Sequence, residues 1–358
     1  MNFNEILAYK QIKNFPRKKI SLNSLEKLSI QCNDPIFSDL KVYMILSIKW
    51  HFDYLAKTRS NPVKLNLSIN FWYNTFSIFQ SLKKCGWILK NLKPEKIKAI
   101  DKWEKTRRAF DFMWPKNTKS YFFNSSRVLA DLRLKQIISQ ISKSKDFFKE
   151  KTILDSGCGP ARYIDVMLRY NPKKIIGIDS GKSIIRENKK KYKKNKNVFF
   201  INSRFDKIKL NSETVDFLIS AGVLHHTKTD MKKLINEHAR LVKKGGYFFI
   251  FVAGTGGQEL ALWKFCRKVM TNIDLDYSYS LLKNKISPMR IQGFLDHSYG
   301  EYKETSRTEL EIMLKNNFSK IKKISGISGA DVTRETFKND NFFKNRFGTG
   351  NLRYLCKK

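Results

Sequence analysis

Short apolar runs alternate with amphipathic segments over the second half of the chain. Each run spans four to six residues and is rich in Ile, Val and Phe, which is typical of buried strands. Strands are predicted at 152–155, 174–178, 198–201, 215–220 and 247–252, and helices at 162–170, 183–194 and 231–242. This alternation predicts a parallel, doubly wound α/β sheet. A helix over 306–316 and strands over 321–324 and 352–356 extend it to a mostly parallel sheet of seven strands.

The first part of the chain has helical periodicity instead, over 40–55, 69–92 and 126–142. Pro94 is a plausible boundary between two helical segments. We therefore expect a helical N-terminal region (1–100), an aromatic and helical connector that caps the sheet (101–150) and an α/β domain (151–358). Residues 254–305 interrupt the alternation and form an insertion in that domain.

Two aromatic clusters lie in these helical segments. In the first, one helix face carries Ile69, Trp72, Phe76 and Phe79. This face could pack in the core or lie on a membrane surface. Because the neighbouring pair Lys83-Lys84 is only slight support for a membrane-surface helix, core packing is the favoured interpretation. The second cluster comprises Phe110, Phe112 and Trp114 and is expected to end at a break at Pro115. It could form the roof of a ligand pocket or pack as a wedge between two layers.

Composition excludes several classes of protein. A content of 41% hydrophobic residues excludes wholesale disorder, and the five cysteines are scattered without paired zinc spacing, so we expect a reducing compartment and no metal. The N-terminus lacks a signal-peptide pattern and no run of 18 apolar residues occurs, so we expect a cytoplasmic protein. The formal charge of +38 could attract nucleic acid or anionic lipid. Because lysines are spread along the whole chain, a solvated surface of biased composition is the favoured explanation.

A turn with two glycines follows the first predicted strand and reads Asp-Ser-Gly-Cys-Gly-Pro-Ala from Asp155 to Ala161. Glycine has no Cβ, so the chain can turn sharply at Gly157 and Gly159 and a ligand can lie against the backbone. The next helix directs its free N–H groups to the same place, which predicts a nucleotide-type pocket. In a dinucleotide site the third small residue would stand at Arg162, which is too large, and this weakens the dinucleotide interpretation.

Asp179 closes the second predicted strand, 24 residues after Asp155. A carboxylate at this point would accept hydrogen bonds from both hydroxyls of a ribose. The alternative is a turn or helix-capping role before Ser180 and Gly181. The glycine turn at this separation favours the ribose.

These stretches resemble the class I S-adenosylmethionine-dependent methyltransferases, especially the branch related to quinone-biosynthesis methyltransferases with type 11 or type 25 domains. The similarity is carried by residues 153–163, 176–179 and 215–252, the last with Val-Leu-His-His-Thr, and continues weakly through 293–318. The aromatic run at 110–114 is similar to a signature that precedes the core in some of these enzymes. The resemblance implies a Rossmann-like fold and S-adenosylmethionine as the cofactor.

The resemblance also implies the roles of particular residues. Asp155, Gly157 and Gly159 would lie along the methionine half of the cofactor, and Asp179 would hold its ribose. The family's adenine-binding Asp is replaced here by Asn-Ser-Arg-Phe at 202–205, where Ser203 could bond the adenine edge and Phe205 could stack on it. The candidate cofactor residues are completed by Ala161, Arg204 and Ser220.

His225 and His226 follow the fourth predicted strand, where the acceptor should meet the methyl group. A neutral imidazole could take a proton from a hydroxyl or an amine, so both are candidate catalytic residues, and a structural role is the alternative. The leading hypothesis is methyl transfer to a small molecule, lipid precursor or sugar bound by the N-terminal region and residues 254–305. The alternatives are an RNA methyltransferase that uses the basic surface and a non-catalytic subunit that binds S-adenosylmethionine.

Overall fold

A computed structural model describes residues 20–35, 37–60, 62–84, 101–117, 121–141, 145–326 and 340–358. The chain divides into two compact units, Met1–Lys96 and Ile97–Lys358. Within the described residues, no helix is both long enough and apolar enough to cross a bilayer.

The first unit is helical, as the sequence predicts. Its helices are α1 (Leu22–Gln31), α2 (Phe37–Lys57) and α3 (Leu65–Lys84), with a 3-10 turn at Pro62–Lys64. The predicted helix over 40–55 lies within α2. The predicted helix over 69–92 coincides with α3 up to Lys84, and its remainder, like Pro94, lies outside the described residues.

The aromatic face of α3 packs inside this unit. Ile69, Trp72 and Phe76 are buried, and the Phe76 ring stacks on Phe37 with centroids 6.0 Å apart. The indole N–H of Trp72 donates to the hydroxyl of Ser47 on α2. A buried indole N–H needs such a hydrogen-bond partner. This side of α3 therefore packs in the core, which is the interpretation that the sequence favoured.

The second unit begins with two long helices, α4 (Lys102–Asn117) and α5 (Tyr121–Ile141). Seven strands follow: β1 (Thr152–Ser156), β2 (Lys174–Asp179), β3 (Val198–Asn202), β4 (Val215–Ala221), β5 (Val242–Ala253), β6 (Lys320–Lys323) and β7 (Asn351–Lys357). The helices between them are α6 (Arg162–Met167), α7 (Lys182–Lys191), α8 (Met231–Leu241), α9 (Gln258–Val269), α10 (Leu275–Leu282), α11 (Pro288–Tyr299), α12 (Arg307–Lys315) and α13 (Asn341–Phe347).

The strands form one sheet in the order β3-β2-β1-β4-β5-β7-β6. The five strands from β3 to β5 are parallel, and β7 is antiparallel to both β5 and β6. This confirms the mostly parallel, seven-stranded, Rossmann-like sheet. The chain order reverses between β1 and β4, so a crevice opens there at the carboxyl ends of the strands.

Strands β1, β2 and β4 are buried on both faces, which explains why they read as continuous apolar runs. Successive residues point to opposite faces, so each strand supplies both hydrophobic layers. One layer contains Leu154, Leu218 and Phe248, and the other contains Ile153, Phe217 and Phe249.

Three local features differ from the sequence predictions. Helix α4 continues through Pro115 and ends at Asn117, so the expected break falls in its last turn. Strand β5 begins at Val242 rather than 247, and Gly245, with a φ of +74°, lies within it beside an irregularity in the pairing with β4. Residues 254–305 form the helices α9, α10 and α11, whose mixed aromatic and basic composition hides the helical period.

Candidate functional site

A cavity of about 380 Å³ opens at the carboxyl ends of β1, β2 and β4, beneath α4. This is the position expected for a ligand in a doubly wound sheet. Its wall contains six residues that the sequence nominated: Gly157, Gly159, Asp179, Arg204, Phe205 and His226. It also contains Trp103, Glu104, Thr106, Arg107, Phe110, Trp114, Arg162, Val223 and Lys228, among others.

The turn after β1 is held tightly against β2. The backbone N–H groups of Gly157 and Cys158 donate to the carbonyl of Ile178 at 2.7 and 2.9 Å. Gly157 has a φ of +85°, and a Cβ there would lie 2.2 Å from Val223 Cγ2. The side-chain amide of Asn188 on α7 donates to the carbonyl of Gly159 at 2.7 Å. The turn is therefore fixed, and glycine at 157 is a steric requirement.

Asp179 faces the cavity while its carboxylate is bound to backbone. Its oxygens accept hydrogen bonds from the N–H groups of Gly159 and Gly181, both at 2.9 Å. Burial raises the pKa of this carboxyl, and these donors oppose the rise. The bond from Gly181 is a turn contact. The N-terminus of α7 is capped by a different residue, Asp111, and not by Asp179. Each carboxylate oxygen can accept a second bond, so Asp179 retains capacity toward a ligand.

Asp155 lies at the base of the glycine turn and is 1% exposed. Its Oδ2 atom has no hydrogen-bond partner among the described residues. Burial raises the pKa of Asp155 to about 7, and the nearby charge of Arg162 opposes this rise. A buried carboxylate with an unfilled oxygen is a group that a polar ligand could satisfy.

Helix α4 forms the roof of the cavity with one stripe of side chains. Trp103, Arg107, Phe110 and Trp114 have the spacing of one helix face and all line the cavity. Phe112 points elsewhere and packs on Tyr279, with ring centroids 5.3 Å apart. The aromatic cluster therefore takes both roles that the sequence left open, with Phe110 and Trp114 in the roof and Phe112 as a wedge.

The roof helix is fastened at several points along its length. Asp111 Oδ1 accepts hydrogen bonds from the N–H groups of Ser183 and Ile184, at 2.9 and 3.2 Å, and thereby caps α7. The hydroxyl of Thr106 accepts a bond from the Glu301 N–H at 3.0 Å. The position of the cavity roof is thus set by contacts far apart in sequence.

His226 is the histidine that lines the cavity. Its Nδ1 lies 2.8 Å from the carbonyl oxygen of Glu301, and because a carbonyl can only accept, Nδ1 carries the proton. Its ring packs edge-on against Phe110 at 4.7 Å. Burial lowers the pKa of His226 to about 4, so the ring is neutral at pH 7. Its Nε2 therefore holds a lone pair, and it has no hydrogen bond within the described chain.

His225, the adjacent residue, occupies a different environment. It is 4% exposed, lies outside the cavity wall, and its Nδ1 accepts a hydrogen bond from the Ala253 N–H at 3.3 Å. Its ring stacks on Tyr302 with centroids 5.4 Å apart. Burial lowers the pKa of His225 far below the ordinary value. These contacts are those of a structural histidine that joins β5 to the segment after α11.

The other nominated residues are close to the cavity but not in its wall. Ala161 is buried with a φ of +63° and precedes α6. The Ser203 hydroxyl donates to the carbonyls of Arg204 and Lys207, at 3.1 and 3.3 Å. Ser220 is fully buried, and its hydroxyl has no hydrogen-bond partner among the described residues.

The sequence analysis did not identify several residues of the cavity wall, among them Trp103, Arg107 and Arg162. The spacing of 103, 107, 110 and 114 could have indicated a single helix face. Nothing in the local sequence identifies which cavity that helix face would cover.

Residues 154–250 match a family model described as a methyltransferase domain, the type 11 model. No protein of curated function matches the chain. Among solved structures, 1,6-didemethyltoxoflavin-N1-methyltransferase from Burkholderia thailandensis is 12% identical over 74% of this chain and 92% of its own, with a TM-score of 0.44. An S-adenosylmethionine-dependent methyltransferase from Mesorhizobium loti is 10% identical over 63% and 96%, at 0.41. YcgJ from Bacillus subtilis is 17% identical over 63% and 99%, also at 0.41.

These structural similarities are remote, and the assignment depends on the family match together with the observed sheet and its glycine turn. The matched segment begins within β1 and ends within β5, so it includes the turn, Asp179 and the segment with His226. The chain therefore carries a class I S-adenosylmethionine-dependent methyltransferase domain and is an enzyme whose cofactor is S-adenosylmethionine.

Proposed function

We propose that the enzyme methylates a hydroxyl or amine of a small-molecule acceptor that binds beneath α4. The observation that supports this most directly is that Asp179 and His226 line one cavity. The proposed ribose-binding carboxylate and the proposed proton acceptor thus share one cavity, which suits methyl transfer to a protonated nucleophile.

The cofactor fits the polar groups of this wall. Asp179 would accept hydrogen bonds from the ribose hydroxyls, and the turn at Gly157 and Gly159, which have no side chains, leaves the backbone open to the methionine half. Phe205, 7% exposed at the cavity edge, offers a flat apolar surface for the adenine. The sulfonium of the bound cofactor supplies a methyl group that is already activated for in-line attack.

The chain's own residues would align the acceptor and receive its proton. Positioning can supply about 7–11 kcal/mol of the barrier reduction, whereas a general base adds about 10²–10⁴-fold in rate. The carbonyl of Glu301 fixes the His226 tautomer, so Nε2 is the nitrogen able to accept a proton. His226 is the proposed general base, and Glu301 is a positioning residue through its backbone.

The acceptor side is supported by the composition of the roof. Trp103 and Phe110 present aromatic surface, and Arg107 is held by Glu104 through two bonds of 2.9 and 2.6 Å. A neutralised arginine and two aromatic rings suit a compact organic molecule better than a polyanion.

We also propose a cytoplasmic location, since Cys32, Cys158, Cys266 and Cys356 are buried free thiols.

Calorimetry with S-adenosylhomocysteine tests the ribose assignment. Asp179→Ala should weaken binding by about 10-fold to 100-fold, because it removes charge-assisted hydrogen bonds. Asp230→Ala is the matched control, since Asp230 also accepts backbone bonds, from Lys232 and Lys233 at the start of α8, but outside the cavity wall. Equal affinities of the two variants would refute the assignment of Asp179.

The acceptor class is tested with S-adenosylmethionine that carries a tritiated methyl group. The wild-type enzyme is incubated with the small-molecule fraction of a cell extract or with total RNA. Label should enter the small-molecule fraction, and His226→Gln should reduce the rate by about 10²–10⁴-fold. Label in RNA alone would contradict the proposal and favour the RNA methyltransferase alternative.

A further inference from the structure

Helix α3 carries a second apolar stripe, on the side away from its buried aromatic face. Leu67, Phe71 and Ile78 are 68%, 62% and 55% exposed, and Leu82 is exposed as well. Their spacing along the helix places all four side chains on one side of it. Single exposed apolar residues are ordinary in proteins, whereas a contiguous apolar patch marks an interaction surface. We call these four residues the apolar stripe of α3.

Charged side chains are absent from this helix except at its end. Residues 65–82 contain no Asp, Glu, Lys or Arg, although 28% of the whole chain is charged. Lys64 directly precedes this stretch, and Lys83 and Lys84 close it. Lys83 is paired with Asp34, whereas the side chains of Lys64 and Lys84 are exposed. The exposed side of a helix ordinarily carries charges, so an uncharged stripe between two exposed cations indicates a partner that is apolar in the middle and anionic around it.

Charge also indicates which occupant the apolar stripe fits. Two copies of α3 packed stripe to stripe would bring exposed lysines together, Lys64 against Lys84 if antiparallel and each against its own copy if parallel. Such like-charge contacts are destabilising. An anionic bilayer offers the complement, because its acyl layer accepts apolar side chains and its headgroups attract nearby lysines. Lys and Arg outnumber Asp and Glu in residues 20–84, which favours the same partner.

We propose that the apolar stripe of α3 binds the surface of an anionic lipid bilayer, with the helix axis parallel to the membrane plane. One side of the helix packs in the core of its own unit through Ile69, Trp72 and Phe76, and the other side meets the lipid. Asn74, on the same side as the stripe, is polar but uncharged and suits the headgroup layer. The inference is independent of the acceptor proposed above.

Flotation with lipid vesicles tests this inference in the full chain. Vesicles of phosphatidylcholine mixed with phosphatidylglycerol are compared with vesicles of phosphatidylcholine alone. The wild type should bind the mixed vesicles more tightly, because anionic headgroups attract the lysines. The double variant Phe71→Asn/Ile78→Asn should bind the mixed vesicles at least about 10-fold more weakly, because it withdraws two apolar side chains from the lipid.

The double variant Phe199→Asn/Ile312→Asn is the matched control. It removes the same two types of side chain from exposed positions on β3 and α12, and Ile312 has the same exposure as Ile78, 55%. Its affinity for the mixed vesicles should stay within about twofold of the wild type. Both double variants should keep the circular dichroism spectrum of the wild type, since exposed substitutions seldom affect folding.

Three results would overturn the inference. Equal binding of the two double variants would show that attachment comes from the lysines spread over the whole chain. A wild type that fails to float with the mixed vesicles, or that binds both kinds of vesicle equally, would exclude an anionic bilayer as the partner. Light scattering of the free protein examines the other occupant: a wild-type dimer that Phe71→Asn/Ile78→Asn converts to a monomer would assign the stripe to a second copy of the chain.

Discussion

Replacement of Gly157 by alanine tests the most constrained position of the glycine turn. A Cβ at Gly157 would lie 2.2 Å from Cγ2 and 2.5 Å from Cγ1 of Val223, far inside van der Waals contact. The backbone adds a second obstacle, because residues with a side chain rarely adopt a φ of +85°. The turn cannot relax freely, since the Gly157 and Cys158 N–H groups are bound to Ile178.

The expected magnitude follows from these two terms. Overpacking of a filled site costs about 1–3 kcal/mol, and a left-handed backbone costs a residue with a side chain about 1–2 kcal/mol. Gly157→Ala should therefore lower the free energy of unfolding by about 2–5 kcal/mol. Gly159 is the matched control, since its φ is also positive, at +46°, but its Cβ would make only ordinary contact with Trp114 at 3.6 Å. Gly159→Ala should lose about 1–2 kcal/mol.

Urea unfolding followed by circular dichroism measures both variants. Val223→Ala removes the two Cγ atoms, so the double variant Gly157→Ala/Val223→Ala should lose less stability than the sum of its single variants, by about 1 kcal/mol or more. Equal losses in Gly157→Ala and Gly159→Ala, or strict additivity with Val223→Ala, would refute the steric explanation of the turn.

Three further changes test the surroundings of the cavity. Asp111→Ala removes the cap of α7 and should lower the free energy of unfolding by about 0.5–2 kcal/mol in urea titrations; no loss would contradict the capping contact. Asn188→Ala leaves the Gly159 carbonyl unpaired and should lower the free energy of unfolding by about 1–3 kcal/mol. It should also weaken S-adenosylhomocysteine binding in calorimetry; unchanged stability and affinity would show that Asn188 does not support the turn. His226 has a pKa of about 4 when folded, below the ordinary 6.5, so between these values the unfolded chain binds the additional proton. As the pH falls through this range, the stability of the wild type relative to His226→Gln should therefore decline by about 1.4 kcal/mol per pH unit; parallel pH curves of the two proteins would disprove the shift.

The parallel sheet and its glycine turn could be predicted because local patterns specify them. Apolar runs of strand length between amphipathic segments have few other stable arrangements than a covered parallel sheet. The turn at Gly157 and Asp179 at the end of β2 also lie at fixed places relative to those strands, so their shared position follows from the strand order alone. The bounds of β1 to β4 agree with the prediction to within one residue.

The roles of neighbouring side chains could not be predicted in this way. His225 and His226 are adjacent and chemically identical, yet one accepts a bond from Ala253 and the other donates to Glu301. Nothing in the local sequence separates them, because the partners come from elements 28 and 75 residues away.

The amino-acid sequence thus determined the sheet and the turn, since both depend on periodicity or on spacing within a few tens of residues, and its resemblance to a known family indicated the class of cofactor. Tertiary structure alone decided that the Trp103–Trp114 face of α4 covers the cavity, that Asp111 caps α7, and that β7 enters the sheet between β5 and β6. Those outcomes depend on which distant elements can bury their apolar faces together, and only the folded chain brings these partners within hydrogen-bonding distance.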